Sequence, residues 1–210
     1  TKYSVTAEVP EINAQLLPNA SVATTPSARR ATGAVTSLPP KLSELLSGFS
    51  ATGTTTFQQV AVLLGFFTNN PAVNEGKPFS VNLDASPSFS LGGLTSFVDP
   101  EGDRVGRPEQ FAAAFATFAR AQGLPVRIVV GYKVPQDVAP DRVVELTAAD
   151  RTAWAEVALD GLGWVPFDPV PSESNATELT VQEQELEVVT QSEVSRAVNT
   201  PEDLAPENPN

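Results

Sequence analysis

The chain has 210 residues, 41% of them hydrophobic and 18% charged, with a formal net charge of −12; that is enough apolar content for one domain with a sizeable core. It contains no cysteine and no histidine, which excludes disulfides, thiolate metal ligands and the commonest general base. An acidic chain without a basic patch is a poor partner for nucleic acid, and no run of about 18 apolar residues is present to span a bilayer.

Residues 1–10, "TKYSVTAEVP", put Tyr3, Val5, Ala7 and Val9 on one face by alternation, as a strand does. From 18 to 40 the chain is Pro, Ser, Thr and Ala without period and reads as a loop or linker, so a compact domain is expected to start near Leu38. Lys41 to Phe49 reads as a short helix. A second, from about Thr56 to Thr68, spaces Phe57, Val60, Ala61, Leu64 and Phe67 along one face. Residues 76 to 105 carry Pro, Gly and Ser throughout and read as a long ordered loop with brief strands.

The next stretch has its limits written in residue chemistry. Pro108 lacks an N–H and its fixed φ suits the first helical turn, while Glu109 complements the positive end of the helix dipole. Phe111, Phe115 and Phe118 form one stripe, and Ala112, Ala113, Ala114 and Ala116 admit close neighbours, so this helix is expected to be buried on more than one side. Gly123 fits the C′ position and Pro125 blocks continuation. "VRIVVGY" (126–132), "AWAEVAL" (153–159) and "GWVPFDP" (163–169) then read as three strands, the last two joined by the tight turn "DGLG". The fold class is α+β, with a central buried helix packed on an antiparallel sheet. Beyond Pro171, residues 172–210 hold nine acids against Arg196 and no aromatic residue, a composition expected to remain a flexible acidic tail or linker. An edge strand over "LTVQEQELEVV" is the alternative there.

The stretches "EQFAAAFATFARAQGLPVRIVVGY", "DRTAWAEVALDGLGW" and "VPFDP" together resemble the transglutaminase-like superfamily, whose core is that of the papain-like cysteine proteases. Within it the pattern is similar to bacterial membrane proteins that carry such a domain outside the cytoplasm. The resemblance implies a division into 1–37 (N-terminal strand and linker), 38–171 (transglutaminase-like domain) and 172–210 (tail toward a membrane segment). It also implies where a catalytic triad would stand. Active members have glycine, any residue, cysteine, glutamate at the start of the central helix; here the residues are Gly106, Arg107, Pro108 and Glu109. They have histidine before alanine and tryptophan on the second strand, where this chain has Thr152, Ala153 and Trp154, and an aspartate that Asp168 matches.

Such a triad works because the helix dipole favours a thiolate, the imidazole takes its proton and the carboxylate fixes the imidazole's tautomer. Proline offers no nucleophile, and a lone carboxylate does not activate the Thr152 hydroxyl at neutral pH. The expectation is therefore a catalytically degenerate domain, a pseudoenzyme, whose groove is framed by Arg107, Glu109, Arg151 and Trp154. Asp168 reads as a turn acid before Pro169, Trp154 and Trp164 as packing residues. No cofactor or metal site is expected, since carboxylates appear in no EF-hand spacing.

The expected role is an extracytoplasmic binding or scaffolding module for a protein, peptide or cell-wall component at the bacterial cell membrane. The isolated domain is expected to be a monomer belonging to a membrane-anchored protein. The absence of any methionine fits a piece of a longer or processed chain. The alternative is a hydrolase of carboxylate mechanism using Asp168 with Asp150 or Glu109, which needs two carboxyls about 5 to 9.5 Å apart across a cleft.

Overall fold

A computed structural model describes residues 12–33, 37–52, 55–74, 76–132 and 143–171. The strand read at 1–10 and the acidic tail at 172–210 lie outside the described residues. Five α-helices and five strands follow in the described chain: α1 (Pro26–Thr32), α2 (Pro40–Thr52), α3 (Thr56–Phe67), β1 (Ser80–Val81), α4 (Leu91–Val98), β2 (Val105–Gly106), α5 (Pro108–Ala121), β3 (Val126–Tyr132), β4 (Arg151–Leu159) and β5 (Gly163–Phe167).

The architecture is α+β. β3, β4 and β5 form an antiparallel sheet in that order, and α5 lies between this sheet and α3. Alternation on β4 sorts its side chains: Ala153, Ala155 and Val157 are fully buried toward α5, while Thr152, Trp154 and Glu156 take the other face. Three small or compact residues in that row let the helix approach closely. Phe115 stacks on Phe167 of β5 at 6.5 Å between centroids. On its other side α5 presents Phe111 and Phe118 to a continuous aromatic cluster with Phe49, Phe66, Phe67, Phe79 and Phe97. The helix is buried from two sides, as its alanine content implies.

Both ends of α5 behave as their residues dictate. Pro108 occupies the first turn. At the other end Gly123, at φ 81°, completes a paired C-terminal motif: Leu124 N–H donates to Ala119 O and Gly123 N–H to Arg120 O, each at 2.9 Å. Two carbonyls that the helix would leave orphaned are thereby satisfied.

Two segments depart from the sequence reading. Residues 18–40, expected as loop or linker, contain α1, which Thr25 caps from its side chain and Pro26 starts. Leu17 and Ala28 are fully buried, and Ala23 N–H donates to Ala158 O while Val22 bridges Leu159. Small residues provide this packing, so no large-apolar period announced it. The Arg120 guanidinium adds a tie, donating to Ala31 O at 3.3 Å and Val126 O at 3.1 Å.

The second departure is α4, inside the stretch read as a long loop. Ser90 caps it and Leu94, Phe97 and Val98 are its buried face. Eight residues containing two glycines are too short and too glycine-rich for periodicity to declare a helix. β1 and β2 pair in parallel, Ser80 with Val105 and Val81 with Gly106, which pins this region to the approach of α5. Gly106 is required there because a Cβ would sit 2.7 Å from the Phe97 ring.

Arg104 fastens the same region from inside. It is 3% exposed, and its guanidinium donates to Asn74 Oδ1, Lys77 O, Val98 O and Asp99 O at 2.6 to 3.1 Å. Its carbon lies 4.7 Å from the Phe79 centroid and 5.3 Å from that of Phe66. Backbone carbonyl oxygens and the Asn74 amide oxygen accept its hydrogen bonds, and two rings give their negative faces to it.

Candidate functional site

The N-terminus of α5 meets the start of β4 through an ion pair. Arg151 Nη2 donates to Glu109 Oε1 at 2.9 Å, and Arg107 Nε stands 3.4 Å from Glu109 Oε2. Pro108 precedes Glu109 and Thr152 follows Arg151, so the backbone at the two sequence-matched positions adjoins this pair although 44 residues separate them, while the Thr152 side chain belongs to the sheet face away from α5. Three of the four candidate groove residues therefore form one cluster.

Glu109 is the most enclosed member, with its side chain 19% exposed against 29% for Arg107 and 47% for Arg151. Its burial presses the carboxyl upward. The opposing effects win: its own backbone N–H, the charges of Arg107 and Arg151 and the Arg151 hydrogen bond hold it below the ordinary value near 4.5. Glu109 Oε2 is buried and makes no hydrogen bond of good geometry, since Arg107 approaches it beyond ideal range. The helix end is thus filled by a carboxylate of its own second residue.

Glu109→Gln is expected to lower unfolding free energy by about 1–2 kcal/mol at pH 7, because two arginines lose a charged acceptor. A carboxyl held low in the folded state stabilises it above the ordinary value, and that contribution is lost as pH falls through the folded value. The difference between wild type and variant should therefore shrink as pH drops below about 4.5. Urea titrations at pH 7 and pH 3 measure it, and a difference undiminished at pH 3 would contradict the assignment.

Trp154 stands apart from the cluster. Its side chain belongs to the other sheet face, where Nε1 donates to Glu156 Oε1 at 3.3 Å and its ring covers Gly131, leaving under 3 Å for any added Cβ. Arg127 joins the same row: its Nε and Nη2 each lie 2.6 Å from Glu156 Oε2 and its guanidinium covers Trp164 at 4.4 Å. The two tryptophans are thereby linked through Glu156 and Arg127 along one face of the sheet.

Asp168 follows Phe167, which pairs with Ala155, so it lies beside the Trp154 position of the ladder. Its Oδ1 accepts from Val170 N–H at 3.0 Å, the local turn contact expected before Pro169. Asp150 accepts from the Thr147 N–H at 2.7 Å and hydroxyl at 2.8 Å, and these bonds hold it below the usual carboxylate range. Among the described residues, no group of three or more acidic side chains could hold a metal ion, and no helix is long and apolar enough to cross a membrane.

A buried helix delivering its N-terminus to the start of a strand in an antiparallel sheet defines a class of protein. The family model described as the transglutaminase-like superfamily matches residues 47–169, and the chain belongs to that superfamily. The structure is similar to that of the periplasmic domain of TgpA from Pseudomonas aeruginosa bound to ethylmercury, with a TM-score of 0.54 and 24% identity over 68% of this chain and 48% of that one. The same periplasmic domain in a second crystal structure gives a TM-score of 0.53 and 23% identity over 68% of this chain and 46% of that one. The chain thus spans about half the length of the solved domains it matches. A search of curated proteins finds no match to it.

Proposed function

We propose that this is a non-catalytic transglutaminase-like domain, a binding or scaffolding module that faces outward from a bacterial membrane and engages a protein or cell-envelope partner. The observation that carries the reading is the state of the α5 N-terminus: proline stands where the family has its thiol, and the adjoining carboxylate is closed between Arg107 and Arg151. With no cysteine or histidine in the sequence, the thiolate–imidazole mechanism lacks both reacting groups. The outward location is carried over from the relative's periplasmic domain.

The carboxylate alternative is disfavoured by the hydrogen bonds that already engage its candidates. A general acid needs a raised pKa, whereas Glu109 and Asp150 are both lowered. Asp168 serves its own turn. The test is turnover: the full 210-residue chain, incubated with glutamine peptides and an amine donor and separately with peptide amides, should release no ammonia or product above the blank. Turnover that Asp168→Asn or Glu109→Gln abolishes would instead establish a carboxylate enzyme.

A further inference from the structure

β3 is the edge of its sheet among the described residues, and its outer backbone groups share residues with an exposed apolar row. Ala158 N–H donates to Pro125 O on the β4 side, whereas the Val126 carbonyl accepts from Arg120. These two bonds fix the phase of the ladder. Arg127, Val129 and Gly131 turn their N–H and C=O toward β4; Ile128, Val130 and Tyr132 turn theirs outward. The same three are 41%, 59% and 52% exposed, on the sheet face that bears α5.

The row runs beside the helix. Arg120, near the end of α5, touches the start of β3, and Glu109, at the start of α5, touches Arg151, which pairs with Tyr132. Between them Ala113 and Thr117 lie one helical turn apart on that flank and are partly exposed, so small side chains face the row. On the face that bears α5 the charged side chains of α5, its cap, β3 and β4 are Arg107, Arg120 and Arg151 against Glu109, while Arg127 and Glu156 pair on the opposite face. In a chain of net charge −12, this region has an excess of positive charge.

We propose that the open edge of β3 takes up an acidic, extended segment of a partner protein as an added strand. Its alternate apolar side chains pack on Ile128, Val130 and Tyr132 and its acidic end meets Arg151. Main-chain bonds to the three outward residues supply affinity, the alternating contacts supply register, and the arginines select charge. Among the described residues α1 packs against β3, where Arg120 ties Ala31 O to Val126 O at the start of the strand; from Ile128 to Tyr132 the edge carries no proline, no lysine and no bulge. This rests on the reading of the domain as a binding module and adds the place and the chemistry of the partner.

The probe is a fluorescent seven-residue peptide that alternates valine and threonine and carries glutamate at both ends, titrated into the full chain and followed by anisotropy. Saturable binding is expected, weaker for the same peptide with lysine ends and weaker at high salt. Val130→Pro removes only an outward N–H, so the sheet keeps its bonds while the added strand loses one and meets the ring. Val130→Lys places a charge in the apolar row. Each should weaken binding about tenfold or more, with circular dichroism and melting unchanged. No saturable binding to wild type, or binding that both variants leave intact, overturns the proposal. So does a concentration-dependent dimer that Val130→Lys returns to monomer, which would assign the edge to a second copy. None of these results alters the ammonia assay, which reads the loss of catalysis by itself.

Discussion

Replacing Arg104 by alanine is expected to lower the unfolding free energy by about 3–5 kcal/mol, the cost of leaving four buried or part-buried neutral acceptors without their donor. Asn74 Oδ1 and the carbonyls of Lys77, Val98 and Asp99 would lose their donor together, and the Phe66 and Phe79 rings would face a cavity. Arg104→Lys should recover only part of this, because an ammonium is a point donor and cannot span acceptors spread around a planar fork. Arg104 also sits at φ 51°, a conformation that costs a non-glycine residue of order 1 kcal/mol. Arg104→Gly would relieve that strain while losing every bond, so its stability should fall close to that of the alanine variant. Urea denaturation of the three variants measures the order, and an alanine variant within about 1 kcal/mol of wild type would show that water replaces the guanidinium at little cost.

Phe111→Ala is expected to cost a further large amount, about 3–5 kcal/mol, from a fully buried ring and the cavity it leaves. Phe111 touches Phe67, Phe79 and Phe97, with centroids 5.0 to 6.4 Å apart and near-perpendicular planes. It therefore joins α5, α3, α4 and the residues before β1 through one side chain. Phe79 contacts both Phe111 and Arg104, so the double variant should be less destabilised than the single effects predict if added. Strict additivity would indicate that the aromatic cluster and the arginine act as separate supports.

The legible part of this fold was the part with strong local punctuation. Pro108 and Gly123 delimit α5 without help from the rest of the chain, and the β-branched run from Val126 with the turn at Gly161 to Gly163 delimits the sheet; the single stripe read for Phe111, Phe115 and Phe118 is instead divided, Phe115 facing Phe167 of the sheet and the other two the aromatic cluster. α1 and α4 were not legible, because Ala23 and Ala28 bury little area each and Gly92 and Gly93 lie within the eight residues of α4. Nothing about Arg104, between Asp103 and Val105 in a turn-rich run, marks it as buried; its partners lie as far as 30 residues away in sequence. The candidate site divides in the same way. Arg107 and Arg151 were identified as flanking the matched positions and Glu109 as a helix-end acid, but their meeting is a property of the tertiary fold, made across 42 residues.

The bridge between Val22 and Leu159 separates two boundaries that are easily taken as one. The family match begins at residue 47, yet Trp164 packs on Ala23, Ala28 and Ala158, and Asp160 N–H donates to Ser21 O at 2.8 Å. A chain shortened to the matched residues would keep every position by which the superfamily is recognised and lose the cover over one end of its sheet. For this domain the smallest recognisable piece and the smallest piece that buries its own surface are different lengths, and the extra residues lie upstream.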